Sequence, residues 1–378
     1  MGMLLNDEQC QLRDSAAEFL AARAPVAALR ALRDRRDPLG YDPALWREVA
    51  DMGWTAAVFP ESEGGLDFGY QGLGAVFEQA GRTLAAMPLL SSVVLGGGLL
   101  LAAGDARQRA LIASVIGGET LLALALEEEG RHAPARVATT ARRDGEGWVL
   151  DGEKWMVLDG HVANLLVVVA RSAGAPGDLA GLSLFLVDPN AAGVSVQRTI
   201  IVDSRNAARV RLENVRVAQS ALLGEAGEGY APLDAVLDRA RICLAAEALG
   251  VIVEAFERTN AYLKERIQFD APIGSFQALQ HRMARLYVEI ELLRSCVAAA
   301  LAAIDAGSPD VALLASLAKA RAADLCERAL NEAVQLHGGI GVTDELDIGL
   351  FLKRGRVIGQ SFGDGVFHRD RYASLKGF

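Results

Sequence analysis

Apolar residues recur at spacings of three and four through the first 120 or so residues, behind the N-cap-type residue Asn6. This pattern predicts helices, interrupted by the glycine-rich turn E-S-E-G-G-L-D-F-G at 61–69. From about 121 the period changes. Short apolar or alternating runs, among them Leu165–Ala170, Leu182–Val187 and Ala208–Leu212, are punctuated by Asp144-Gly145, Asp151-Gly152 and Asp159-Gly160. These runs predict a small antiparallel β-barrel. Beyond about 229 the helical spacing returns in long alanine-rich runs, with no proline from 233 to 271 or from 273 to 308. Such runs pack naturally as a four-helix bundle. The expected architecture is therefore α+β and multidomain: an N-terminal helical domain (1–120), a middle β domain (121–228) and a C-terminal bundle (229–378). The order lacks the strand–helix alternation of a doubly wound sheet.

A length of 378 residues suffices for two or three domains with sizeable cores. The net charge of −10, without a basic block, argues against nucleic acid. No charged residue lies between Arg82 and Asp105, a stretch long enough to span a bilayer. Pro88, Ser91, Ser92 and the Gly96–Gly98 triplet break it, so a buried helix pair is expected instead of a membrane span. Asp7 and Glu8 near the start do not form a secretory leader, and a cytoplasmic location is expected. The four cysteines and five histidines show neither zinc nor disulfide spacing.

Candidate chemistry concentrates in R-I-Q-F-D-A-P-I-G-S-F-Q at 266–277. Arg266 is a permanent cation able to fork onto phosphate oxygens. Phe269 and Phe276 offer flat apolar faces, and Gln277 a donor and an acceptor. The set suits a large, flat, phosphate-bearing cofactor; a helix–turn–helix corner with a solvated arginine is the plainer alternative. A second element, Q-L-H-G-G-I-G at 335–341, ends a helical run with glycines that let backbone N–H groups approach a phosphate or ribose.

In this order and separation the two elements resemble the acyl-CoA dehydrogenase family, and the likeness extends over nearly the whole chain. G-W-T-A-A-V-F-P-E-S-E-G-G-L at 53–66, G-R-T-L-A at 81–85, G-G-E at 117–119 and L-D-G-E-K-W-M-V-L-D-G-H-V-A-N at 150–164 also match family patterns. The resemblance implies FAD, an acyl-CoA thioester substrate and α,β-dehydrogenation, with an electron-transfer flavoprotein as acceptor. It places Arg266, Gln268, Phe269, Ile273, Phe276, Gln277, Gln335, Leu336, Gly338 and Gly339 on FAD, reaching the adenosine and pyrophosphate held by a neighbouring subunit. Asp270 stands where the family has glycine. A homo-oligomer or a heteromeric assembly, dimeric or tetrameric, is implied as well.

The departures lie elsewhere. The family's T-E-P-x-x-G-S-D is replaced by L-E-E-E-G-R-H-A at 126–133. Leu126, His132 and Leu158 thereby remove hydroxyls expected near the flavin, and Met156 stands where a Trp usually covers the ring. Gly363 occupies the place of the usual catalytic glutamate, with Asp364 beside it; the family's other base position falls at Ala240. Glu247 lies on an apolar stripe formed by Cys243, Leu244, Gly250 and Val251, where burial is expected to raise its pKa towards that of a general base. It is the first candidate base and Asp364 the weaker one. The alternatives are a buried structural glutamate paired with an arginine such as Arg241 or Arg285, and a chain with no competent base that completes another chain's FAD site as a partner subunit. G-Q-S-F-G at 359–363 fits the nucleophile-elbow spelling but lacks the strand that an elbow needs. Small residues around Ala245, Ala246 and Ala248 leave room for a bulky acyl group.

Overall fold

The computed structural model describes residues 5–378. Among these, helices α1 (Asp7–Arg23), α2 (Val26–Asp34), α3 (Pro43–Asp51), α4 (Tyr70–Thr83), α5 (Gly98–Ala103), α6 (Ala106–Arg109) and α7 (Ile112–Ile116) precede the sheet. Asn6 starts α1 through a capping box: it accepts from the Gln9 N–H, and its own N–H donates to Gln9 Oε1. The uncharged stretch after Arg82 folds into a buried π-helical segment, Leu89–Gly97, that runs into α5. Among the described residues no helix is long and apolar enough to cross a membrane.

The sheet comprises β1 (Leu122–Ala125), β2 (Thr140–Asp144), β3 (Gly147–Leu158), β4 (Leu165–Arg171), β5 (Leu182–Val187), β6 (Val194–Ile200), β7 (Asn206–Ala218) and β8 (Leu222–Leu223). The order is β6-β7-β3-β2-β4-β5-β8, with β1 also on β4. One face buries Leu150, Leu166, Val168, Val210 and Leu212, with Trp148 edge-on to Phe185 at 5.5 Å. The sheet is largely antiparallel as expected, but β1 runs parallel to β4. The chain leaves β1 through the 126–139 loop and the β2–β3 hairpin before returning, a connection long enough for a parallel pairing.

The C-terminal part holds α8 (Tyr230–Glu265), the short strands β9 (Ile267–Gln268) and β10 (Ala271–Pro272), then α9 (Gln277–Asp305), α10 (Val311–His337), α11 (Ile348–Gln360) and α12 (Gly365–Lys376). Two compact units cut across sequence order. One joins the residues up to 31 and 70–85 to 241–378; the other contains 32–69 and 86–240. In the first unit α4 lies directly on α8. A Cβ on Gly81 would sit 2.1 Å from the Glu247 carbonyl oxygen, and one on Gly250 would sit 1.8 Å from that of Glu78. Only glycine allows this approach. The Tyr70 and Gln71 N–H groups at the start of α4 donate to the Asp305 carboxylate, at 2.6 and 2.9 Å. That places an anion at the positive end of the helix.

Candidate functional site

The stretch after α8 is a minimal hairpin. Gln268 pairs with Ala271 and Ile267 with Pro272, leaving Phe269 and Asp270 as a two-residue turn. Both have positive φ, +56° and +60°, the conformation of the tight hairpin turn whose twist matches its strands. Asp tolerates that geometry better than most residues, which accounts for Asp270 holding a glycine's place. The turn leaves Phe269 87% exposed, edge-on to Phe276 at 6.1 Å. Arg266, Gln268 and Gln277 are exposed and Ile273 half-buried. Among the described residues the Arg266 guanidinium has no hydrogen-bonded or ionic partner; its backbone is tied to Tyr262 and Ile273.

α10 ends at His337 and continues as a 3-10 turn over Gly338–Val342. No atom lies within 4 Å of where a Cβ would stand on Gly338 or Gly339, so this face of the backbone is open. Gln335 is exposed, whereas Leu336 turns into the core and leaves only its backbone for a ligand. Tyr262, one turn before the hairpin, stacks on His337 with ring centroids 4.5 Å apart. The structure therefore ties the end of α8, which leads into the hairpin, to the end of α10, which leads into the glycine turn.

The proposed bases are placed differently. Glu247 is 2% exposed, and both its oxygens are held by Arg354, Nε to Oε1 at 2.8 Å and Nη2 to Oε2 at 2.6 Å. This fork comes from α11, 107 residues further along the chain. Arg241 Nε donates to the Phe362 carbonyl, and Arg285 is exposed. Asp364 caps α12, accepting from the Phe367 N–H at 2.8 Å. Gly363 sits in a turn with φ +109°, where a Cβ would meet the Phe367 ring at 2.4 Å and His368 Nε2 at 2.7 Å. This turn is held by its carbonyls. Phe362 O receives Arg241 Nε and His368 Nε2, while Lys319 Nζ reaches Gly359 O at 3.3 Å and Gly363 O at 2.8 Å. Burial pushes the Lys319 pKa down to about 7. Ala240 is fully buried, as are Ala245, Ala246 and Ala248. Ser361 follows a helix, and its hydroxyl donates to the Val357 carbonyl, an arrangement unlike a nucleophile elbow.

In the other unit Glu127 and Glu128, at the start of the 126–139 loop, are both paired. His132 Nδ1 lies 2.6 Å from Glu127 Oε1. The Glu128 carboxylate takes Lys154 Nζ at 2.6 Å together with the N–H groups of Ala138 and Thr139. Lys154 also donates to the Leu126 carbonyl at 3.2 Å. Burial pushes the fully enclosed Lys154 amine down to about 8, against the pull of Glu128. Burial also opposes ionisation of Glu128, but Lys154 and the hydrogen bonds outweigh it and hold its pKa below the usual carboxylate value. Leu126 is 2% exposed. Met156 has φ +49° at a bulge in β3 and is exposed, as is Trp155, which carries Arg209 over its ring at 4.3 Å.

Tested against the cofactor that the sequence resemblance implies, the two halves differ. The hairpin and glycine loop fit its nucleotide part: a free cation, exposed aromatics and open backbone. The 126–139 loop does not fit its ring, because Leu126 and Leu158 offer no side-chain donor and the nearby carboxylates and His132 are already paired. The sequence left the fork from Arg354, the Glu128–Lys154 pair and the Tyr262–His337 stack unread. The only trace of the first was a basic K-R-G-R run at 353–356.

Three family models match in order: the acyl-CoA dehydrogenase N-terminal domain over residues 6–119, the middle domain over 123–215 and the C-terminal domain over 227–373. Acyl-CoA dehydrogenase FadE12 of Mycobacterium tuberculosis is 30% identical over 359 residues, covering 93% of this chain and 91% of the relative. The solved Tcur3481-Tcur3483 steroid ACAD G363A variant superposes with a TM-score of 0.88 at 34% identity, over 98% of each chain. The ChsE4-ChsE5 complex of M. tuberculosis superposes with a TM-score of 0.89 at 26% identity, over 100% of this chain and 99% of that one. This chain belongs to the acyl-CoA dehydrogenase family, flavoprotein oxidoreductases acting on CH–CH bonds.

Proposed function

We propose that this chain works in the α,β-dehydrogenation of an acyl-CoA thioester as one member of a two-chain acyl-CoA dehydrogenase. In that assembly it lends the 266–277 hairpin and the Gly338–Val342 turn to an FAD whose ring the other chain cradles. One observation carries the proposal: the polar groups that would serve the ring or the α-proton in this chain are engaged elsewhere, Glu247 by Arg354 and Glu128 by Lys154. Arg266 and the exposed Phe269, by contrast, are left for a ligand.

The chemistry divides accordingly. The thioester carbonyl acidifies the α-proton, and a carboxylate that removes it contributes roughly 10²- to 10⁴-fold. That carboxylate belongs on the second chain. FAD, when bound, would supply a two-electron acceptor for the β-hydride, with an electron-transfer flavoprotein as the onward acceptor. Arg266 would hold the diphosphate through a charge-assisted fork, Phe269 and Phe276 would shield the adenosine, and Gln268 and Gln277 would meet its polar groups. Two of the superposing structures are named as pairs of chains, and one of these is described as a steroid ACAD. A fused-ring acyl-CoA is accordingly the first substrate to test.

The visible spectrum tests the proposal. Purified alone, the chain is expected to be colourless, and to acquire stoichiometric flavin only when co-expressed with a second chain of the same fold. A flavin peak in the isolated chain, bleached anaerobically by acyl-CoA, would overturn it. That result would instead favour a self-sufficient homo-oligomer, with Glu247 released from Arg354 to act as base.

A further inference from the structure

Two contacts bracket the glycine turn, and both come from the last turns of α8. Before the turn, Tyr262 stacks on His337, the last residue of α10, with the ring planes 27° apart. His337 is buried, and its Nδ1 bonds the Ala333 carbonyl at 2.8 Å, so the ring is fixed from the α10 side. After the turn, Asp347 divides its carboxylate between two arginines, Oδ1 to Arg30 Nε at 2.7 Å and Oδ2 to Arg258 Nη1 at 2.8 Å. Arg30 also reaches Asp344 at 3.1 Å. Arg258 is steadied by Glu254 at 2.9 Å and lies over the Phe351 ring at 5.2 Å.

Arg258 and Tyr262 are four residues apart and share one face of α8. The Tyr262 carbonyl in turn receives the N–H of Arg266 at 2.8 Å, where the hairpin begins. The end of α8 thus holds the hairpin by backbone and the glycine turn by side chains on both flanks.

We infer that Tyr262 and Asp347 are positioning residues that set the spacing between Arg266 and the Gly338–Gly339 backbone, so that one adenosine diphosphate moiety meets both. The inference rests on the proposed nucleotide-gripping role of these two elements. Neither element is stiff by itself: a hairpin of two-residue strands is marginal, and ordering glycines costs more backbone entropy than ordering other residues. Fixing both before the ligand arrives removes that cost from binding. Neither side chain needs to touch the nucleotide.

The test is calorimetric titration of the deflavinated two-chain protein with ADP, each substitution being placed in this chain, alongside thermal unfolding of each variant. The wild-type chain in that assembly should bind, and Arg266→Ala should weaken binding at least tenfold. Tyr262→Leu should weaken affinity about tenfold, Tyr262→Phe should restore it, and Asp347→Asn should weaken it about threefold. Unchanged affinity in both Tyr262→Leu and Asp347→Asn, with Arg266→Ala weakened, would overturn the positioning role while leaving the gripping role intact. Should Tyr262→Leu fail to fold, wild-type affinity in Asp347→Asn overturns it alone. A wild-type chain that ignores ADP, or an Arg266→Ala variant that binds normally, defeats the gripping role and the positioning role with it.

Discussion

The 266–277 hairpin and the 126–139 loop both resemble stretches where the family holds its cofactor, yet they use their polar groups in opposite ways. In the hairpin Arg266 has no partner among the described residues, and Phe269 stands almost fully in solvent. Such exposure does nothing for stability and becomes useful only when something covers it. In the loop the two carboxylates nearest β1 are paired inward: Glu127 with His132, and Glu128 with Lys154 and two backbone N–H groups. A loop satisfied in this way is well folded and has little to offer a ligand. The Glu247–Arg354 fork belongs with the loop in this respect. Groups engaged within the chain should therefore cost stability when altered, and groups left open should cost binding alone.

The largest effect is expected at the fork. Glu247→Gln takes from the buried Arg354 the carboxylate that both its nitrogens meet, a loss of about 3–5 kcal/mol. Urea denaturation should show the midpoint falling, whereas Glu247→Leu with Arg354→Met should recover much of it, since a packed apolar pair often replaces a buried ion pair at little cost. A Glu247→Gln protein of unchanged stability would move Glu247 out of the structural class and back towards catalysis. Glu128→Gln comes next, at about 3 kcal/mol, because Lys154 is fully enclosed while Glu128 retains some access to water. A neutral result there would mean that the 126–139 loop is not held by its own charges.

How much of this was legible before the fold was known depended on range. The hairpin signal is local: aromatic, Asp, Pro and Gly within 12 residues specify turn and exposure together. The order of helical, β and helical segments is also local, because it follows from period. The partner of Glu247 lies 107 residues away on α11, where nothing in the apolar stripe around Glu247 points to it. The inward turn of Glu128 was equally hidden, since its site exists only once β3 places Lys154 beneath the loop. The regrouping of α4 with the bundle depends on two glycines, Gly81 and Gly250, whose value appears only where two backbones meet.

A smaller effect comes from Lys319, another group turned inward. Its pKa of about 7 in the folded chain lies below its ordinary value of 10.5. Between those values the unfolded chain binds more protons, so the stability of the fold rises with pH. From pH 7 to pH 9 the gain attributable to Lys319 should be on the order of 2 kcal/mol. Lys319→Met should remove that gain from the urea midpoints, leaving the slope due to Lys154, which has the same sign but begins at about pH 8. An identical pH dependence in wild type and variant would show that the amine stays charged between the Gly359 and Gly363 carbonyls.

The smallest stability effect is expected at the residue that matters most for the ligand. Arg266→Ala removes an exposed side chain with no partner among the described residues, so stability should change by no more than about 0.5 kcal/mol. Flavin retention by the assembled two-chain protein should nonetheless collapse, because a charge-assisted bond to phosphate contributes about 1.5–3 kcal/mol. Arg266→Lys separates charge from geometry: a point charge keeps part of the attraction and loses the fork. If Lys retains flavin as well as Arg does, the hairpin supplies field alone. If Lys fails nearly as badly as Ala, the planar fork is the element recognised, and the tight turn that aims it is part of the site.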